Sequence, residues 1–337
     1  MWFLVLLAVT LLLFVANLGL GSVVLSWKSV LQALFHASRA DTAARVIVNE
    51  YRLPQAVTAL SVGILLSMSG LVLQTLFRNP LAGPSVLGIS SGASLGVAVV
   101  LLSGSAFGLD VSSLPVVGNL AVVLAALAGA LLVLAVILFV SARVSHVVTV
   151  LIIGIMLGYA VSAVVGVLQF FSGSEDLHAY VLWGLGSFSK SSVAQSFLLL
   201  ATAFGGMLVL AFYIKPLNAL LLGEQYARSI GFQPVRIRRV LILVTGILVA
   251  AGTAFTGPIA FLGLAVPHLA RGLFKTSQQG VLLPATVLTG AALALVCNLA
   301  AKLPGYDVSL PINAVTSLIG APVIIWVIMK SRHLKNG

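Results

Sequence analysis

The sequence predicts an all-α polytopic integral membrane protein with about ten transmembrane helices. Three observations predict it. Of the 337 residues, 60% are hydrophobic and only 7% are charged, whereas a soluble globular domain is about a quarter charged; such a surface cannot face water. Apolar stretches of roughly the 20 residues needed to span a bilayer recur from end to end. Lys and Arg gather at alternate ends of those stretches, as they do in cytoplasmic loops.

Charges, glycines and prolines separate the candidate spans at residues 2 to 25, 55 to 76, 85 to 103, 114 to 140, 147 to 171, 192 to 213, 239 to 255, 258 to 274, 281 to 301 and 310 to 329. The first lacks a basic n-region and is too long for a signal h-region, so it is read as a retained span. The second and third are parted by RNPLAGP, the fourth and fifth by the turn around SARVSHVVT (141 to 149), and the fifth and sixth by SGSEDLHAYVLWGLGSF (172 to 188). Between the seventh and eighth, GTAFTGPIAF is either a sharp bend or a true turn. The sole cysteine, Cys297, falls in the ninth span, which excludes a structural disulfide and suits a core thiol. The chain reads as one transmembrane domain, residues 1–337, with a longer connection at 215–239.

With both termini in the cytoplasm, the inner ends hold Arg78, Arg143, Lys215, Arg228, Arg236, Arg238, Arg239, Arg271, Lys275, Lys330, Arg332 and Lys335, with Glu224 the only acid. The outer ends hold Lys28, Arg39, Arg45, Arg52, Lys190 and Lys302 against Asp41, Glu50, Asp110, Glu175, Asp176 and Asp307. The whole net charge of +11 therefore lies inside. Topology and lipid headgroups explain the basic excess, which removes nucleic acid as a partner. No acid falls in the middle of a span, whereas proton- and sodium-coupled carriers place a carboxylate near the midplane.

In the connection KPLNALLLGEQYARSIGFQPVRIRR (215 to 239), Leu220, Leu221, Tyr226, Ala227 and Ile230 stand at mixed helical spacings, with Gly223 and Gly231 as breaks. Two short helices across the membrane face follow, with Pro234 ending the stretch. They suit either a partner's groove or the lipid surface.

The chain resembles the membrane-spanning permease subunit of the iron-siderophore, haem and cobalamin ABC importers, the FecCD-like type II importer class. The matching stretches are RLPQAVTALSVGILLSMSGLVLQTLFRNPLAGPSVLGISSGASLG (52 to 96), LLGEQYARSIG (221 to 231), GPIAFLGLAVPHLAR (257 to 271) and LPINAVTSLIGAPVIIW (310 to 326). The resemblance implies the type II permease fold in the bacterial cytoplasmic (inner) membrane. It implies a homodimer, or a pair of similar subunits, with two cytoplasmic ATPase subunits below and an extracytoplasmic substrate-binding protein above. The chain has no G-x-x-x-x-G-K-[ST] phosphate loop, so it cannot supply ATP hydrolysis by that mechanism; the resemblance implies that no cofactor is bound directly, that ATP is used by the partner ATPase, and that the permease is no enzyme.

By the same resemblance, Gly223, Glu224, Tyr226, Ala227, Arg228 and Gly231 form the element that contacts the ATPase. A small residue at Ala227 allows close backbone approach, and Glu224 and Arg228 at i, i+4 brace the helix. The turn with Arg78, Asn79, Pro80 and Leu81 becomes a cytoplasmic gate, in which Asn79 caps backbone groups and Leu81 is an apolar plug. A second gate falls at Val147 and Val148, where some relatives carry polar residues. Arg52 and Lys302 become the docking residues for the binding protein. Two departures reduce the charge there: Gln55 where many relatives carry a second basic residue, and Ser309 where they carry an acid. The glycines and serines of LGISSGASLG suit close helix packing.

His268 and Arg271 have no further His, Cys or carboxylate at ligand spacing, so no metal site is expected and the cargo arrives already chelated. Iron-siderophore, haem and cobalamin remain open, with family membership favouring an iron chelate. The alternative is an ion-coupled secondary transporter of a small solute, which the missing midplane acids disfavour. An integral membrane enzyme would need a cluster of His, Cys or carboxylates facing one cavity, and the few such residues lie near span ends.

Overall fold

Helices carry every apolar segment, because a chain in lipid must satisfy its backbone polar groups within itself. The computed structural model describes residues 1–35, 41–102, 115–144, 146–303 and 309–333. Among them the helices are α1 (Trp2–Gly19), α2 (Trp27–Phe35), α3 (Thr42–Val46), α4 (Leu53–Leu76), α5 (Ile89–Leu102), α6 (Pro115–Arg143), α7 (Val147–Phe171), α8 (Ser174–Gly184), α9 (Val193–Phe212), α10 (Ile214–Leu222), α11 (Glu224–Ser229), α12 (Pro234–Thr256), α13 (Leu262–Phe274), α14 (Gln279–Lys302) and α15 (Ile312–His333).

Among the described residues, seven helical stretches are long and apolar enough to cross a membrane: Trp2–Gly19, Thr42–Leu76, Asn119–Arg143, Val147–Phe171, Val193–Phe212, Pro234–Thr256 and Gln279–Lys302. The segments at 85 to 103, 258 to 274 and 310 to 329 hold the shorter apolar helices Ile89–Leu102, Leu262–Phe274 and Ile312–Ile325. The second span starts earlier than its hydropathy suggests. A π-helical stretch, Ile47–Arg52, joins α3 to α4, and the Leu53 amide bonds back to the Val48 carbonyl. Pro54 has no amide hydrogen to give to the turn before it, which is a sufficient local cause for the widened turn. The GTAFTGPIAF segment is a true break. Helix α12 stops at Thr256, Gly257 and Phe261 take φ of 76° and 67°, and α13 begins at Leu262. Pro234 opens α12 at its first turn instead of only ending the connection, a position where its missing amide hydrogen costs nothing.

The sequence expects one domain, and the chain packs as two compact units of interleaved segments. The first comprises Met1–Met68, Ser187–Gly205 and Ile259–Gly337; the second comprises Ser69–Gly186 and Gly206–Pro258. In the first, α14 packs with α1, α13 and α15. In the second, α5 lies along α6, and both contact α12. No linker separates the units in sequence, because each boundary falls inside a helix or a tight turn.

The small residues of LGISSGASLG set the closest approach in the second unit. A side chain on Gly96 would run into the Ala125 carbonyl of α6, and one on Gly92 would lie 2.5 Å from the Gly129 carbonyl. Two backbones in lipid gain van der Waals contact this way without a hydrophobic driving force. The serines serve the same packing: Ser90 Oγ lies 3.4 Å from Thr253 Oγ1, and Ser94 Oγ donates to the Ser90 carbonyl at 3.1 Å. Gly96→Leu is expected to force α5 from α6 at a cost of about 1–3 kcal/mol or more. A lowered melting temperature in mild detergent is the expected result, and an unchanged one contradicts this packing.

Candidate functional site

In the second unit, the connection after α9 folds as two short helices hinged at Gly223. Its φ of 120° and ψ of 158° are open to glycine and strained for any other residue. Glu224 follows as the first residue of α11, where a carboxylate favours the positive end of the helix. Its Oε2 lies 4.0 Å from Arg228 Nη2, so the expected i, i+4 brace forms. Being largely exposed, that pair contributes little to stability.

The other oxygen of Glu224 meets a residue that the charge count treats as one more positive-inside anchor. Arg238, near the start of α12, is only 1% exposed. Its Nη1 lies 3.9 Å from Glu224 Oε1, and its Nη2 donates to the carbonyls of Ser141 at 3.2 Å and Val144 at 2.6 Å. Those carbonyls close α6, where helical bonding runs out. A buried cation at a helix C-terminus satisfies orphan acceptors and complements the dipole. One guanidinium therefore joins the first residue of α11 to the end of α6.

Exposed on and around α11 are Leu222, Gln225, Tyr226, Arg228, Ser229, Ile230 and Gly231. Ala227 is 0% exposed, which corrects the expectation that its small side chain faces a partner. It points into the permease itself, where it allows α11 to sit close.

The expected gate turn follows α4. Arg78 takes φ 47°. The Asn79 amide bonds back to the Gln74 carbonyl at 3.1 Å, and Asn79 Oδ1 accepts the Leu81 N–H at 2.9 Å, the capping foreseen for it. Pro80 and Leu81 stand at the tip, with Leu81 half-exposed. A side chain at Gly223 would lie 3.7 Å from Arg78 Nη1, so this turn reaches the same hinge. Val147 and Val148 are the first residues of α7, with Val148 exposed. Helix α7 packs at Gly154 against the 3-10 turn Pro84–Leu87 that follows the gate turn.

The first unit holds a separate polar network. Arg52 is 5% and Lys302 9% exposed, so both sit within a recess of the fold and not on an open face. Arg52 donates to the carbonyls of Leu18, Gly19 and Val23, at the end of α1 and just beyond it. Lys302 Nζ donates to the Asn17 carbonyl at 2.9 Å. Amides extend the chain of bonds: Gln55 Nε2 donates to Asn298 Oδ1 at 3.1 Å, Asn298 Nδ2 to Asn17 Oδ1 at 2.7 Å, and Asn17 Nδ2 to the Leu13 and Leu295 carbonyls. Asn17 and Asn298 were not singled out from sequence. The available signal was that each is an amide well inside an apolar run.

Arg52, Lys302, Gln55, Tyr51, Ser189 and Ser309 line part of a cavity of about 320 Å³. Among its described lining residues none is acidic. The recess is therefore electropositive and furnished with hydroxyls. Among the described residues no three His, Cys, Asp or Glu side chains are placed to hold a metal ion.

Removing the Arg52 guanidinium would strand carbonyls in a buried position, at about 1–3 kcal/mol per unsatisfied group. Arg52→Gln is expected to lower the melting temperature in detergent, while Arg45→Gln, at an exposed position, leaves it unchanged. Equal melting of both variants contradicts the capping role.

The model of the FecCD transport family matches residues 9–330. Over 288 residues the chain is 37% identical to the vitamin B12 import system permease protein BtuC of Escherichia coli O9:H4, covering 86% of this chain and 85% of that one. It is also 37% identical over 286 residues to the same-named protein of Shigella sonnei, covering 85% and 84%. A solved inward-facing conformation of an ABC transporter of metal-chelate type superposes with a TM-score of 0.83 at 30% identity, covering 97% of this chain and 98% of that one. PsaBC from Streptococcus pneumoniae shares the fold at a TM-score of 0.54 and 16% identity, covering 88% and 95%.

Proposed function

We propose, since this chain belongs to the FecCD transport family, that it couples ATP hydrolysis on a separate ATPase to the inward passage of a metal chelate. It is a multi-pass inner-membrane permease of an ABC importer, a transport component and not an enzyme. The observation that carries the reading is the match across residues 9–330, nearly the whole chain. The site geometry supports the finer parts.

In this reading two copies of the chain form the path, with both termini cytoplasmic and an ATPase beneath each copy. The face of α11 with Tyr226, Arg228 and Ile230, flanked by Leu222, enters a cleft on the ATPase. A short helix that leaves large apolar side chains exposed beside an arginine suits a groove better than it suits water. The turn at Arg78–Leu81 and the valines at 147 and 148 close the exit until the ATPase moves α11.

On the outer side, Arg52 and Lys302 act from within the recess. A carboxylate of the binding protein reaching past Tyr51 and Ser309 meets two cations with no internal acid to compete. That arrangement favours register over raw affinity. The cargo is a bulky chelate with its metal already held, either a cobalamin, as the names of the B12 permeases suggest, or an iron complex. Small and apolar helix faces let such a cargo pass without a tight internal site that would slow release.

Purification of the chain from its native membrane in mild detergent tests the reading. Co-recovery of an ATPase is the expected result, and recovery of the chain alone contradicts it. Tyr226→Asp with Ile230→Asp is expected to reduce ATPase recovery about tenfold, equivalent to roughly 1.4 kcal/mol, without lowering the melting temperature. Full recovery from that variant removes this face of α11 from the contact.

A further inference from the structure

We infer that Arg238 is the positioning residue that carries displacement of α11 to the C-terminal end of α6, with Glu224 as its lever. The inference rests on the importer reading above, in which the ATPase moves α11.

Three elements meet at this one side chain. Arg238 belongs to α12, its ion-pair partner Glu224 opens α11, and its acceptors Ser141 and Val144 close α6. Val144 lies three residues before Val147, where α7 begins. At 1% exposure the guanidinium has no water to turn to. If α11 swings about Gly223, the carboxylate of Glu224 moves with it, and a buried cation losing its counter-charge is pulled after it or must find another partner. Either response disturbs the bonds that hold the α6 carbonyls, and α7, which packs against α6, shifts with them.

The hinge is built for such a swing. Gly223 takes φ 120° and ψ 158°, a conformation open to glycine, and α11 is short and mostly exposed. Glu224 itself is partly exposed, with a side-chain accessibility of 34% against 2% for Arg238. The pair thus has one end on the moving surface and one in the packed interior. Arg78 of the first gate turn lies close to Gly223, 3.7 Å from where a side chain there would begin, and Glu224 reaches the end of α6 through Arg238.

A purely structural Arg238, serving only to cap α6, makes a different prediction. Changing Glu224 would then leave the gate's response intact, because both capping bonds come from Nη2 while Glu224 meets Nη1.

The test uses the full chain with its co-purified ATPase in lipid nanodiscs, with a spin label on Val148→Cys and the native Cys297 replaced by Ala. The readout is the ATP-dependent change in label-to-label distance across the permease pair, alongside ATPase recovery and hydrolysis rate. The parent complex is expected to show the change. Among complexes that carry the ATPase, Glu224→Gln is expected to lose most of the distance change and to cut transport per ATP about tenfold, with a lowered melting temperature because Arg238 loses its counter-charge. Arg238→Lys keeps the charge but not the fork, and should lose the Val144 or Ser141 bond with a partial loss of response. Glu224→Gln with Arg238→Lys should be no worse than the more severe single variant, since both break one path. A full response in Glu224→Gln and Arg238→Lys overturns the inference and leaves the importer reading standing. A parent complex with no ATP-dependent change overturns both.

Discussion

A helix that ends in an apolar setting leaves carbonyls with no amide to receive them, and each needs a donor that water does not supply. This chain answers with arginine. Arg52 closes α1 in one compact unit and Arg238 closes α6 in the other, each through bonds to main-chain oxygens. Guanidinium suits the task because its donors fan out in a fixed plane and it is permanently charged. The two sites differ in what completes them. Around Arg52 the network continues through neutral amides and Lys302 to an electropositive recess, whereas Arg238 ends on a carboxylate at the surface.

That difference divides the labour of the permease. A fixed network of amides and backbone carbonyls, such as Asn17, Asn298 and Gln55 provide, holds α1, α4 and α14 in one arrangement. Under the proposed function the outer recess is the receptor surface, and the α10–α11 connection is where motion enters. Glycines bring the backbones of α5 and α6 into close contact in the second unit.

Much of this was legible in the sequence. Hydropathy located the apolar segments, since lipid demands about 20 apolar residues per span whatever the tertiary fold. Gly223 and Gly231 marked the breaks around α11, and Asn79 its turn, because those backbone conformations depend on local residue type. The roles of the cations were not legible. Arg52, Lys302 and Arg238 look like interfacial anchors when charges are counted by loop, and their burial depends on helices distant in sequence. Ala227 failed for a related reason: a small residue in an exposed helix marks a close approach, but not which neighbour approaches. The start of α4 was missed because the amphipathic turns at Thr42–Arg52 run into the span through a π-helical stretch that hydropathy does not register.

Uptake by sealed vesicles tests the central claim most directly. The vesicles would carry the chain with its ATPase, ATP enclosed on the ATPase side, binding protein on the other, and a labelled chelate drawn from cobalamin, haem and ferric siderophores. The proposed function predicts accumulation of one of these chelates that requires ATP and persists when ionophores collapse every ion gradient. Accumulation that continues without ATP and stops with the ionophores would contradict it.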